Sequence, residues 1–352
     1  MSARLTIAAP ALESVVLPEL PDSLPQMAET PILLPQSTPP TSVVIPTFNG
    51  AMRLPHVLAA LVAQTAPDRS FEVIVVDNAS TDATSLVARE DPAVAELGAR
   101  GVAVRVIAEP RQGLTFARIA GVAAARSDAV CFLDDDNLPD PDYLENGIAA
   151  FADPSLGLAI SRVRPRWETV PPPSVLRRRH LLAINDYLGD EPVDYGASAT
   201  PAPTIGAGLW VRRSAFLKAV PWERPELLMP DRVGQRLVSG GDIELGVLIG
   251  KAGYRRIYAP TLRLVHEIPG RRFETSYLRS LIDGIVRSEL TVCEKYDGAR
   301  FGLHDHALAA AQLVKAVCAI PWLALTRDDV QREIAFVLAD RWARLKGPLR
   351  SH

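Results

Sequence analysis

From residue 41 to residue 136 the chain alternates short apolar runs with segments of helical period, and few folds accept that alternation. SVVIPTF, FEVIVVDNAS, VAVRVIAE and DAVCFLDDD read as strands. MRLPHVLAALVAQ carries Leu54, Val57, Leu58, Leu61 and Val62 at helical spacing. STDATSLVARE and GLTFARIAGVAAAR read as the second and third helices, with Ser80 or Thr81 as the expected N-cap of the second. Apolar strands separated by helices imply βαβ units and a parallel sheet covered on both faces. Ligands of such sheets gather beyond the carboxyl ends of the strands. The polar residues at three strand ends are therefore candidates for one site: Pro46-Thr47-Phe48-Asn49, Asp77-Asn78 and Asp134-Asp135-Asp136.

The rest of the chain divides around this block. Residues 1–40 hold eight prolines and are expected to form an extended arm. Residues 41–273 are expected to form the α/β domain and residues 274–352 a helical C-terminal extension, its last helix starting at Thr326 and stopping at Gly347-Pro348. The net charge of −3 over 352 residues excludes the basic stripe of a general nucleic-acid binder. Cys131, Cys293 and Cys318 form neither a disulfide framework nor a zinc pattern and fit a reducing cytoplasm. No secretory leader is legible.

Three consecutive aspartates at the end of an apolar run call for a cation. A hard divalent ion, Mn²⁺ or Mg²⁺, takes one or two carboxylates and shares its other positions with phosphates and water. The alternative is an acidic turn in which Asp136 or Asn137 caps a helix starting at Pro139. A prenyl-diphosphate site, with Asp136 and Asp140 four apart, would place its acids on a helix rather than after a strand.

Five segments in order, SVVIPTFNG, EVIVVDNASTDAT, GLTFARIAGVAAARSDAVCFLDDDNLPDPDYL, GAGLWVRRSAF and GGDIELGVLIGKAGYRRIYAP, resemble the family 2 glycosyltransferases over roughly residues 41–270. The resemblance implies the GT-A fold, a Rossmann-like, mostly parallel sheet flanked by helices, and inverting transfer of a sugar from a nucleotide-diphospho-sugar. It implies that Pro46, Thr47 and Asn49 receive the base, although an ordinary strand-to-helix turn uses the same residues. It implies that Asp77 accepts a hydrogen bond from a base N–H, with Asn78 beside it. Arg118 is implied as a donor to base or phosphate, with a surface arginine as the alternative.

Within the triplet, Asp136 is the implied metal ligand and Asp134 faces the ribose or the sugar, while Asp135 could do either. GGDIEL resembles the family's Glu-Asp base motif, with Gly241 in place of the glutamate and Asp242 as the implied general base. Glu244 is expected to pack or cap. His266 is implied to coordinate the metal as a third protein ligand or to touch the diphosphate, with a structural histidine as the alternative. Arg271 and Arg272 would clamp the diphosphate, with a solvated pair as the alternative. Gly208 and Trp210 are expected under the transferred sugar, although core is the commoner fate of such a tryptophan.

The segment 307–325 is apolar but interrupted by Gln312, Lys315 and Pro321. It is expected to pack as helices, with residues 306–346 offering a peripheral membrane contact or a homo-oligomer surface. The expected partners are a nucleotide-diphospho-sugar, a UDP-sugar ahead of others, and a glycan or lipid-linked acceptor, at the cytoplasmic face of a membrane or free in the cytoplasm. Two alternatives stand beside this reading. A sugar nucleotidyltransferase would show a Gly- and Lys-rich loop after the first strand, which PTFNGAMRL lacks. A non-catalytic sugar-nucleotide-binding subunit would bind without turnover.

Overall fold

The computed structural model describes residues 40–198, 200–229, 231, 237–296, 298, 301–320 and 329–348. The Pro-rich arm before Pro40, residues 321–325 and the helix start expected at Thr326 lie outside the described residues.

The first strand, β1 (Thr41–Thr47), is buried along its whole length. Its alternate side chains feed two different cores, as a two-residue period requires. Val43 and Ile45 join Leu54, Val57, Leu58 and Leu61 of α1 (Leu54–Val62) and Val73 and Val75 of β2 (Phe71–Asp77). Val44 joins Ile74, Val76 and, from α4 (Leu114–Ala124), Ala117, Ile119 and Val122. Each fully buried Leu, Ile or Val contributes about 1.5–3 kcal/mol relative to exposure, so covering both faces holds the sheet centre.

Between β2 and α4 the chain forms α2 (Thr84–Glu90), α3 (Pro92–Ala99) and β3 (Val104–Ala108). The expected cap of α2 is corrected. Ser80 Oγ instead accepts from the Asn49 N–H at 3.0 Å, while Asp82 Oδ1 accepts from the Thr84 N–H at 3.0 Å. The N-cap position is Ala83, which offers no side-chain cap, so the Asp82 bond is a local turn just ahead of the helix.

After β4 (Ala129–Phe132) come β5 (Asn137–Pro139), α5 (Tyr143–Ala150), β6 (Leu156–Trp167), α6 (Pro173–Arg177), β7 (Val193–Gly196), β8 (Leu209–Arg212) and α7 (Arg213–Ala219). Then follow α8 (Gly241–Lys251) and the 14-residue β9 (Arg255–Ile268). Among the described residues one sheet runs β3-β2-β1-β4-β8-β6-β9-β5, with β7 beside β9. β3, β2, β1 and β4 are mutually parallel, β8 is antiparallel to both its neighbours, and β6 and β9 are parallel.

β2 and β3 lie on one side of β1 and β4 on the other, so the ends of β1 and β4 flank the crevice where the strand order reverses. Residues 137–139 form a strand, not the helix start weighed as an alternative. They pair antiparallel with β9, with Asn137 opposite His266.

The C-terminal extension is helical: α9 (Thr275–Tyr296), α10 (Leu303–Cys318) and α11 (Val330–Lys346). Glu333 of α11 is buried and receives Arg177 and Arg178, tying the extension to α6. Among the described residues no helix is long and apolar enough to cross a membrane.

Candidate active site

The ends of β1 and β4, the start of α8 and the C-terminal helices enclose a cavity of about 640 Å³. Its wall includes Pro46, Thr47, all three aspartates of the triplet, Arg118, Asp242, His266 and Arg272. Leu181 and Tyr187 close it on one side, with Ile285 and Glu289 of α9 and Arg344 of α11.

The three aspartates have three different environments. Both oxygens of Asp135 are taken. Arg53 grips them through Nε and Nη2, each at 2.8 Å, and Thr47 Oγ1 donates to Oδ2 at 2.6 Å. Asp135 therefore fastens the end of β1 and the start of α1 to the triplet.

Asp136 sits between Arg272, whose Nη2 donates to Oδ2 at 2.8 Å, and His266, whose Nε2 is 3.3 Å from the same oxygen. Burial opposes its ionisation, but His266 when protonated, Arg272 and Arg53 hold its carboxyl below the ordinary aspartate range. With the ring neutral, His266 Nε2 accepts from Arg272 Nη1 at 2.9 Å, and the carboxylate oxygen and ring nitrogen face one cationic group. One oxygen and one imidazole nitrogen converging on a cation is a donor pair that suits Mn²⁺ or Mg²⁺ sharing its remaining positions with phosphate and water.

Among the described residues no cation donates a hydrogen bond to Asp134, which pairs with Arg118 at longer range. Burial pushes its pKa up to about 7, the charges of Asp136, Asp242 and Asp135 add to the rise, and Arg118 works against it. Arg118 Nη2 lies 3.9 Å from its Oδ1.

Arg118 is the electrostatic centre of the far wall. Its side chain is only 7% exposed, and its guanidinium lies 5.3 Å from the Phe132 ring centroid. Burial alone would lower its pKa, but Asp242, Asp134 and Asp231 raise it, so it stays charged. Nη1 donates to Oδ1 of Asp242, while Nε and Nη2 have no hydrogen-bond partner among the described residues. Asp242 is the second residue of α8, where its charge complements the helix N-terminus. Glu244 is buried instead and accepts from the Met229 N–H at 2.6 Å and from Tyr296 Oη at 2.7 Å, a packing role.

The structure places several predicted residues away from the cavity wall. Trp210 is fully buried between the Tyr143 and Phe151 rings, at 5.8 and 5.7 Å, so the expected sugar floor is corrected to core. Gly208 has φ +65° and turns its carbonyl inward to Tyr143 Oη and Ser161 Oγ; an added Cβ would strike Leu264 at 2.0 Å. It shapes the floor from behind rather than touching it.

Arg271 is exposed and off the wall, whereas Arg272, one residue on, faces it. Asn49 and Asp77 are also off the wall, accepting from the Thr81 and Ser80 N–H groups at 2.8 and 3.0 Å. Asn78 reaches the wall, but its amide is engaged by the Glu109 and Arg111 carbonyls and the Gly113 N–H. Sequence reasoning missed Arg53 and Asp231. Neither lies in a strand-end motif, and no local period marks either.

Residues 42–216 match the family model described as Glycosyl transferase family 2. Glycosyltransferase AglE of Haloferax volcanii is 26% identical over 235 residues, which cover 67% of this chain and 68% of that protein. Validoxylamine A glucosyltransferase of Streptomyces hygroscopicus subsp. jinggangensis is 35% identical over 121 residues, 33% of this chain; the match spans only 26% of that longer protein. In fold, the chain resembles the mannosyltransferase PcManGT from Pyrobaculum calidifontis, solved in complex with GDP-Man and Mn²⁺. The TM-score is 0.54 at 19% identity, covering 88% of this chain and 86% of that one.

Proposed function

The chain belongs to glycosyltransferase family 2, and from that premise we propose that it moves a sugar, with inversion, from a nucleotide-diphospho-sugar to a hydroxyl of a glycan or lipid-linked acceptor. The observation that carries this reading is that Asp134, Asp136 and Asp242 line one cavity, with Arg118 reaching both Asp134 and Asp242.

An inverting displacement needs one base on the face opposite the leaving diphosphate. Asp242 takes that role. Its Oδ1 is held by Arg118, and its Oδ2 receives no hydrogen bond from the described residues, leaving it to accept the acceptor's proton as the hydroxyl oxygen attacks the anomeric carbon. Asp134 accepts from donor hydroxyls. Arg272 offers charge-assisted bonds to the departing diphosphate. Asp136 and His266 would hold Mn²⁺ or Mg²⁺, which when bound neutralises diphosphate charge and eases its departure. The neighbour's GDP-Man and Mn²⁺ are consistent with that assignment.

Pro46 and Thr47 would receive the base, and Leu181 and Ile285 of the same cavity would offer apolar surface to the acceptor. The exposed apolar side chains of Leu308, Val314, Val317 and Trp342 support a peripheral contact through the C-terminal helices.

The test is nucleotide release and sugar transfer from UDP-, GDP- and dTDP-sugars, with Mn²⁺ or Mg²⁺ and with EDTA. The expected result is metal-dependent release from one donor, lost in Asp136→Ala and in Asp242→Asn. Binding of no nucleotide would overturn the site. Binding without turnover across an acceptor screen would favour the non-catalytic alternative.

A further inference from the structure

Beside the base, α8 opens on Gly240 and Gly241, so no side chain leaves its first residue. The space is filled from elsewhere. A Cβ built on Gly241 would lie 2.9 Å from Oδ2 of Asp231 and 3.3 Å from the Asp231 Cβ. The bare α-carbon makes room for a carboxylate that arrives from ten residues earlier in the chain.

Asp231 is only 2% exposed and lies on the cavity wall. Its Oδ2 is 4.0 Å from Arg118 Nη1, the same nitrogen that donates to Asp242. Its backbone is anchored to the element that carries Arg118: the Asp231 carbonyl accepts from the Leu114 N–H at 3.1 Å, at the start of α4. Two residues before it, the Met229 carbonyl accepts from Thr115 Oγ1 at 3.3 Å, and the Met229 N–H donates to Glu244. Asp231 is thus fixed to α4 directly, while Met229, two residues before it, is fixed to α8.

We infer that Asp231 is a positioning residue for the transfer, holding the Arg118 guanidinium through the same nitrogen that donates to Asp242. A guanidinium drawn by one carboxylate alone can swing to meet both oxygens of that partner in a fork. Attraction from Asp231 on the same nitrogen resists that swing, so Arg118 takes one oxygen of Asp242 and leaves the other toward the cavity. The inference rests on Asp242 being the base, and it explains why the residue before that base has no side chain.

The experiment measures kcat and donor KM for wild type, Asp242→Asn, Asp231→Asn, Asp231→Ala, Gly241→Glu, and the double variant Asp231→Ala with Gly241→Glu, each checked by thermal melting. Asp231→Asn is expected to lower kcat by about 10- to 100-fold, the scale of an ångström-level misplacement, with donor KM changed less than about threefold. Gly241→Glu alone is expected to lose activity, since its side chain meets Asp231. The double variant restores a carboxylate to the same space from the other chain position, and is expected to recover about tenfold over Asp231→Ala.

Full kcat in Asp231→Asn, with Asp242→Asn inactive, would overturn the inference and leave the base assignment standing. Full kcat in Asp242→Asn would instead overturn the base. If Asp231→Asn does not fold, the folded double variant decides: activity no higher than that of Asp231→Ala overturns the inference, and recovery supports it.

Discussion

Arg118 Nη1 donates to Asp242 Oδ1, joining α4 to the first turn of α8 across 124 residues of chain. The pair is largely buried, so its geometry and its charge balance matter together. Removing one partner of a buried pair costs about 3–5 kcal/mol, mainly by leaving the other charge unpaired. Arg118→Ala is expected to lower the melting temperature clearly. Arg118→Lys keeps the charge and loses the planar fork; it is expected to melt closer to wild type while kcat falls by about 100-fold. Parallel melting curves and transfer kinetics separate the two effects. A Lys variant of full activity would remove Arg118 from the machinery.

Asp134 links stability to pH. Its folded pKa is raised to about 7, above the usual aspartate value of about 3.9. The folded protein therefore binds this proton more tightly than the unfolded chain does. The resulting stability is fully present below about pH 4 and is lost as pH rises through about 7. About a third of the side chain is open to the cavity, which moderates the size of the effect. Asp134→Asn is expected to melt higher than wild type at about pH 8, with the gain shrinking toward about pH 4, and to bind donor more weakly. Melting across that range checks it; a gain independent of pH would refute the assignment to this carboxyl.

Asp135 and Asp136 are neighbours with opposite uses. Asp135 is saturated by Arg53 and Thr47, so Asp135→Asn is expected to cost about 1–3 kcal/mol, the scale of a buried polar group losing its partner. It should leave the metal concentration for half-activation nearly unchanged. Asp136→Asn is expected to raise that concentration at least tenfold. Metal titrations of the two variants give the comparison, and equal effects would defeat it.

Trp210 offers a control. Because it packs against Tyr143 and Phe151, Trp210→Ala is expected to cost about 3–5 kcal/mol as a large core truncation. Trp210→Phe should leave donor KM within about twofold. A selective loss of donor affinity in the Phe variant would return Trp210 to the sugar floor.

The parallel strands and their covering helices were legible because each leaves a local period, and β1 feeds both cores through alternate side chains. The strand ends then pointed to the crevice without any contact being known. Position within a strand was not legible in the same way. GAGLW placed Trp210 on a strand, but which face it presents depends on β8 running antiparallel between β4 and β6. Asp231 and Arg53 were invisible because their partners are distant in sequence: Asp231 meets Arg118, and Arg53 meets Asp135 82 residues on. The one-residue distinction between Arg271 and Arg272 comes from a short turn whose geometry no period records.

The pairing of Asn137 with His266 has a consequence for how this site tolerates change in chain length. Three residues of β5 sit against β9, and the Glu267 N–H donates to the Asp136 carbonyl at 2.9 Å, so the histidine and the aspartate are brought together by ladder register. Strand side chains alternate faces, and a slip of one residue sends each to the opposite side. A single deletion within β9 ahead of His266 would therefore turn the imidazole away from Asp136 even if every remaining residue kept its identity. Lineages descended from this sequence should accumulate substitutions along that strand far more readily than insertions or deletions.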